Sequence, residues 1–126
     1  MKTLALVAVA TLLAAPAFAQ VAPGKPAPDF SLMDESGKPV KLSEQKGKYV
    51  VLEWYNQDCP FVRRHYDSKN MQTLQKKFKE KGVAWYAIAS SKEGKQGHLT
   101  QAQAVATIKS EGMGASILLD PKSEVA

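Results

Sequence analysis

A single cysteine, Cys59, stands among 126 residues. One thiol excludes an internal disulfide framework and any all-cysteine metal site, so sulfur chemistry here must take its partner from another molecule. Histidine is scarce too: His65 and His98 lack a cysteine or carboxylate at zinc-finger or zincin spacing, which points to structural or solvated rings and to no metal. Gly94 and Gly97 flank a loop without Walker or dinucleotide spacing, and no cofactor is expected. Past residue 19 there is no second long apolar run, no internal repeat and no low-complexity tract. With 8 Gly, 7 Pro, 44% hydrophobic and 23% charged residues, the composition is neither collagenous nor disordered and allows one domain at most.

Two features of charge and hydropathy set the context. The 17 Lys and Arg against 12 Asp and Glu leave a modest net charge of +5. The Lys-rich stretch at 76–81 reads as the wet side of an amphipathic helix, so no nucleic-acid site is expected, although anionic surfaces are weakly favoured. At the N-terminus, Met1-Lys2, the apolar run Leu4 to Leu13 and Ala17-Phe18-Ala19 have the order of a secretory signal with a cleavage site. That run is shorter than the ~20 residues needed to cross a bilayer. The expectation is a signal peptide over 1–19, a domain over 20–126, no stable membrane anchor, and a periplasmic location where thiols meet oxidants.

The remainder alternates strand and helix signals. Three prolines in Val21 to Pro28 make an extended lead-in. Phe30 to Met33 and Val40 to Leu42 flank the turn residues Asp34 to Pro39, and predict two short hairpin strands. Tyr49 to Tyr55 is the strongest strand, a β-branched and aromatic run of the kind buried on both faces of a parallel sheet. Cys59-Pro60 then opens a helix that kinks or restarts at Asp67 to Asn70, resumes through Met71, Leu74 and Phe78, and stops near Gly82. Val83 to Ala89 predicts another buried strand. Thr100 and Gln103 form a capping box for a helix through Ile108 that closes near Gly112, and Ile117 to Asp120 predicts a last strand.

Gly24-Lys25-Pro26-Ala27-Pro28-Asp29-Phe30, the Val50 to Tyr55 strand, Asp58-Cys59-Pro60-Phe61 at a helix start, and Leu118-Leu119-Asp120-Pro121 follow one another in a specific order. In this order residues 23–126 resemble the thioredoxin-like superfamily, and most closely its redoxin branch, which includes the alkyl hydroperoxide reductase and thiol-specific antioxidant proteins. The resemblance implies an α/β, three-layer thioredoxin-like fold around a central mixed β-sheet. The family's later cis-proline loop, strand hairpin and final helix are not found after Asp120, so the domain reads as incomplete at its C-terminus.

Cys59 is the first site candidate on physical grounds as well. A cysteine at a helix start meets unsatisfied N–H groups and the positive end of the helix dipole, both of which favour a thiolate. The competing reading is a small buried hydrophobe, and the neighbouring Asp58 carboxylate opposes a second negative charge. The resemblance makes Glu53, six residues earlier, a proton-handling candidate; a buried carboxylate can act as acid or base near neutrality, whereas a solvated strand end does neither. Arg63, one helical turn after Cys59, is a thiolate-stabilising candidate, or an ordinary surface residue like Arg64. Trp54, Tyr55, Pro60 and Phe61 are candidate walls of a binding groove.

Three readings of function follow. A thiol-dependent oxidoreductase would use Cys59 with a disulfide-bearing protein and an external thiol reductant, since Val62 stands where dithiol enzymes carry a second cysteine. A one-cysteine hydroperoxide reductase would cycle through a sulfenic acid, although Asn56 and Leu52 replace the Thr and Pro of the peroxide motif. A non-catalytic binding module would use the same groove without turnover. The secretion reading makes a direct prediction: N-terminal mass analysis of exported material finds a chain starting at Gln20, and retention of Met1 to Ala19 refutes it.

Overall fold

The computed structural model describes residues 21–125, so the expected signal segment at 1–19 lies outside them. Five strands form one mixed sheet: β1 (Ser31–Asp34), β2 (Pro39–Lys41), β3 (Val50–Trp54), β4 (Ala84–Ala89) and β5 (Ser116–Leu119). Their order across the sheet is β2-β1-β5-β4-β3. β3, β4 and β5 run parallel, while β1 pairs antiparallel with both β2 and β5. Three α-helices accompany the strands: α1 (Pro60–Asp67), α2 (Asn70–Lys79) and α3 (Gln101–Glu111).

Local chemistry explains most boundaries. Asp34 closes the β1–β2 hairpin, its Oδ1 accepting from the Ser36 amide at 2.8 Å, the Ser36 hydroxyl at 2.7 Å and the Lys38 amide at 2.9 Å. α1 and α2 are separated where expected, because Lys69 takes a left-handed φ of 60° and breaks the helical path. The capping box of α3 is fully formed: Thr100 N–H donates to Gln103 Oε1 at 2.8 Å, and Gln103 N–H donates to Thr100 Oγ1 at 3.3 Å. Gly112 ends that helix in the left-handed conformation that a side chain would disfavour.

Alternation along β4 divides the core between two faces. Ala87 and Ala89 pack with Tyr55, Tyr66, Leu99, Ala104 and Ile117 beneath the helices. Ile88 joins Leu32 and Leu118 on the opposite face, where Phe30, Val40, Leu52 and Tyr86 are half-buried against them. All three α-helices contribute to the first cluster, so the described residues make two layers of the expected three-layer arrangement. No described α-helix contributes to the second cluster.

Among the described residues β3 pairs with β4 alone. Tyr49 is 85% and Trp54 52% exposed. β4 and β5 carry the fully buried Ala87, Ile88, Ile117 and Leu118.

Candidate functional site

The chain leaves β3 at Trp54 and reaches α1 through a five-residue turn that ends on Cys59. Cys59 is the N-cap of α1, half-buried, with extended backbone angles and no capping hydrogen bond from its side chain. Its carbonyl accepts the first intrahelical bond, from Arg63 N–H at 2.9 Å. The amides of Phe61 and Val62 precede that bond, and Pro60 has no N–H to offer, so the free donors of this helix end cluster beside the thiol. Pro60 and Phe61 themselves are exposed.

The turn is held from below by the loop between β4 and α3. Asn56 accepts Cys59 N–H on its backbone oxygen at 3.1 Å and Asp58 N–H on its side-chain oxygen at 2.9 Å. Asp58 Oδ2 in turn accepts Gly97 N–H at 3.0 Å. Gly97 is buried with φ of 81°, and a Cβ there would lie 2.5 Å from the Asn56 side chain. Only glycine fits, because both the backbone angle and the contact exclude a side chain.

Glu53 points to the helical side of the sheet, where three donors converge on its carboxylate. Tyr66 Oη donates to Oε1 at 2.7 Å, while Gln75 Nε2 at 3.1 Å and Trp85 Nε1 at 2.9 Å donate to Oε2. Gln75 also donates to Tyr66 Oη at 2.9 Å, and its own oxygen accepts Gly114 N–H at 2.9 Å. Tyr66 and Gln75 are fully buried. Burial, and then the bond to Glu53, push the Tyr66 phenol far above the ordinary tyrosine range, so it remains a donor.

Arg63 turns away from the N-cap toward the end of α3, where it forms an ion pair with Glu111 and lies 3.7 Å from Asp67. Its guanidinium carbon is 5.9 Å from the Tyr66 ring centre. The bond to Arg63 holds Glu111 below the usual carboxylate range. Tyr55 is a core residue packed edge-on against Tyr66 at 5.2 Å, and burial pushes its phenol up to about 12. Trp54 faces the other side of the sheet, where it lines a groove of about 410 Å³ with Pro28, Phe30, Leu42, Leu52 and Val125. The four aromatic and proline candidates are therefore not one wall: Pro60 and Phe61 flank Cys59, and alternation along the strand sends Trp54 and Tyr55 to opposite faces.

His98 Nδ1 lies 2.9 Å from the Ser91 carbonyl oxygen, and the exposed His65 lies 3.1 Å from Asn70 Nδ2. No cluster of three His, Cys, Asp or Glu side chains that could hold a metal occurs among the described residues. No helix among them is long and apolar enough to cross a membrane.

A family model described as AhpC/TSA matches residues 23–126. The chain belongs to the AhpC/TSA family. Over 42 residues it is 57% identical to a peroxiredoxin-2 of Pongo abelii, covering 31% of this chain and 24% of that protein. Over 65 residues it is 37% identical to the thiol-disulfide oxidoreductase ResA of Bacillus thuringiensis, covering 52% of this chain and 36% of that one. It thus spans about a quarter and about a third of the length of these two relatives. The thioredoxin domain of a thiol-disulfide oxidoreductase from Bacteroides vulgatus superposes with a TM-score of 0.62 over 84% of this chain and 69% of that domain, at 23% identity. That likeness is one of fold, and the α/β thioredoxin-like architecture of this AhpC/TSA chain accords with it.

Sequence reasoning missed several of the residues that hold the site. The inward position of Gln75 was legible in principle, because it lies on the same helix face as Met71 and Phe78. Trp85, Glu111 and Gly97 carry no local mark of their roles, since their partners lie 32, 48 and 39 residues away in Glu53, Arg63 and Asp58. Two tests follow for this AhpC/TSA chain. Glu53→Gln replaces an acceptor by a donor among converging N–H groups, and lowers unfolding free energy by about 2–4 kcal/mol in urea titrations. Glu111, depressed by Arg63, adds stability above the ordinary glutamate value, and that contribution is lost as pH falls through its lowered value. The stability gap between wild type and Glu111→Gln is therefore wide at neutral pH and closes in acid below that lowered value; a constant gap contradicts the ion-pair account.

Proposed function

We propose that this chain is the thiol-bearing part of a secreted, periplasmic oxidoreductase that uses Cys59 as its one nucleophile on disulfide-bearing proteins. The observation that carries the reading is the uncapped Cys59 side chain at the start of α1, beside first-turn amides with no intrahelical acceptor. Attack of the thiolate on a disulfide forms one S–S bond to Cys59 and breaks the partner's own, and the departing sulfur takes up a proton. An external thiol then attacks the mixed disulfide, releases Cys59 and is itself oxidised to the disulfide with the released chain. Pro60 and Phe61 are the surface that a partner meets first.

Glu53 and Arg63 serve this reaction as positioning residues. Both Glu53 oxygens are taken by donors from α1, α2 and β4, which favours an anchoring role over proton delivery. Arg63 acts through Glu111 in the same way, joining α1 to the end of α3. A second reading, peroxide reduction at Cys59, is favoured by the local identity to peroxiredoxin-2. Against it, Asn56 stands where the peroxide motif has Thr, and its side-chain oxygen is occupied by Asp58 N–H.

The reading predicts that Cys59 is alkylated roughly ten-fold faster at neutral pH in the folded chain than in the urea-unfolded chain. Under excess reagent the folded thiol is consumed faster by oxidised glutathione than by hydrogen peroxide. The reverse order makes the peroxidase reading the better one, and negligible rates with both leave a non-catalytic binding module.

A further inference from the structure

The net charge of the chain resides in one place. Residues 60–81 carry seven Lys and Arg and two acids, whereas the rest of the chain carries ten of each sign and is neutral. Arg63 is engaged by Glu111 and Asp67. The other six, Arg64, Lys69, Lys76, Lys77, Lys79 and Lys81, are exposed and form no ion pair among the described residues. An uncompensated excess of this size on one helical layer produces a field that extends well beyond the surface.

These cations also border a shaped surface. A depression of about 560 Å³ is lined by Arg64, Lys69 and Thr73, among others. A second, of about 600 Å³, is lined by Thr73, Lys76, Lys79 and one acid, Glu80. The two meet at Thr73 and make one track along α1 and α2, which begins a turn or so beyond Cys59 on the same helix.

We infer that this track docks the acidic surface of a protein partner while Cys59 exchanges with that partner's disulfide. The inference rests on the thiol-exchange reading for its purpose, and on charge complementarity for its occupant. A bilayer-binding helix carries apolar side chains to bury beside its lysines, but on α2 Met71 packs against the core, Phe78 lies beside Trp85 and Leu74 is half-buried. A single-stranded nucleic acid needs aromatic stacking platforms, and the exposed aromatic on this layer, Phe61, sits beside Cys59 rather than along the track. An acidic protein surface needs neither: it needs concave ground with cations on both sides. Complementarity of this kind raises the rate of encounter and selects the partner more than it tightens the complex, and it weakens with salt.

The experiment separates docking from chemistry. A fluorescein-labelled, cysteine-free peptide of alternating Glu and Gly is titrated with the Cys59→Ser chain and followed by anisotropy. Binding at about 20 mM salt that weakens roughly ten-fold or more by about 300 mM is expected. The same loss is expected in Lys76→Glu/Lys79→Glu at low salt, with Lys25→Glu/Lys38→Glu, which lies away from α1 and α2, changing affinity far less. All four lysines are exposed, so neither pair of changes disturbs the core. Absent binding, equal losses in both double variants, or tighter binding of phosphatidylglycerol vesicles or of single-stranded oligonucleotide than of the peptide each overturns the assignment. Oxidised glutathione with the wild-type chain reads the thiol separately: peptide binding without exchange keeps the acidic-partner track and refutes the redox purpose given to it.

Discussion

The placement of α1 depends on one half-buried carboxylate. Glu53 collects donors from α1 through Tyr66, from α2 through Gln75 and from β4 through Trp85, and Gln75 extends the same network to the Gly114 backbone. A carboxylate in a half-buried position is unfavourable unless its lone pairs are occupied, and charge-assisted hydrogen bonds are about twice as strong as neutral ones. The energetic requirement of Glu53 thus becomes a geometric constraint on three elements at once. Tyr66 is seven residues past Cys59 on the same helix, so fixing its hydroxyl fixes how α1 lies over the sheet and where its first turn begins.

Two further ties secure the ends of that helix. At its start, Asn56 shapes the turn and the Asp58–Gly97 bond joins it to the loop before α3. Along its length, the Arg63–Glu111 pair joins it to the end of α3, and Gln72 Nε2 of α2 donates both to the Tyr66 carbonyl at 3.1 Å and to the Glu111 carbonyl at 2.9 Å. The Cys59 side chain makes no capping hydrogen bond in this constrained setting. A thiol in a rigid frame can be offered to an incoming disulfide without reorganising its surroundings, which is the advantage of preorganisation in group transfer.

Much of this fold was legible locally. The Asp34 turn, the Cys59-Pro60 helix start, the break near Lys69 and the Thr100–Gln103 box are decided by residues within a few positions of each other, and each is formed as the sequence patterns predict. The pairing of strands in the sheet was not legible, because β3 and β4 are both apolar runs of similar length and nothing within either run names its neighbours. Arg63 illustrates the same limit within the site: its spacing from Cys59 suggested a role one turn away, but its closest ion pair is with Glu111, 48 residues on.

The sequence by itself determined the family, the α/β alternation and the location of the one thiol at a helix start, because each of these is written in short-range patterns of hydropathy, turn residues and caps. The tertiary structure alone decided that Glu53 meets donors from three elements, that position 97 admits no side chain, and that Arg63 pairs with Glu111. These outcomes depend on which distant segments the sheet brings together. Buried polar groups then take whatever partners that packing supplies, since leaving them unpaired costs more than any local preference can offset.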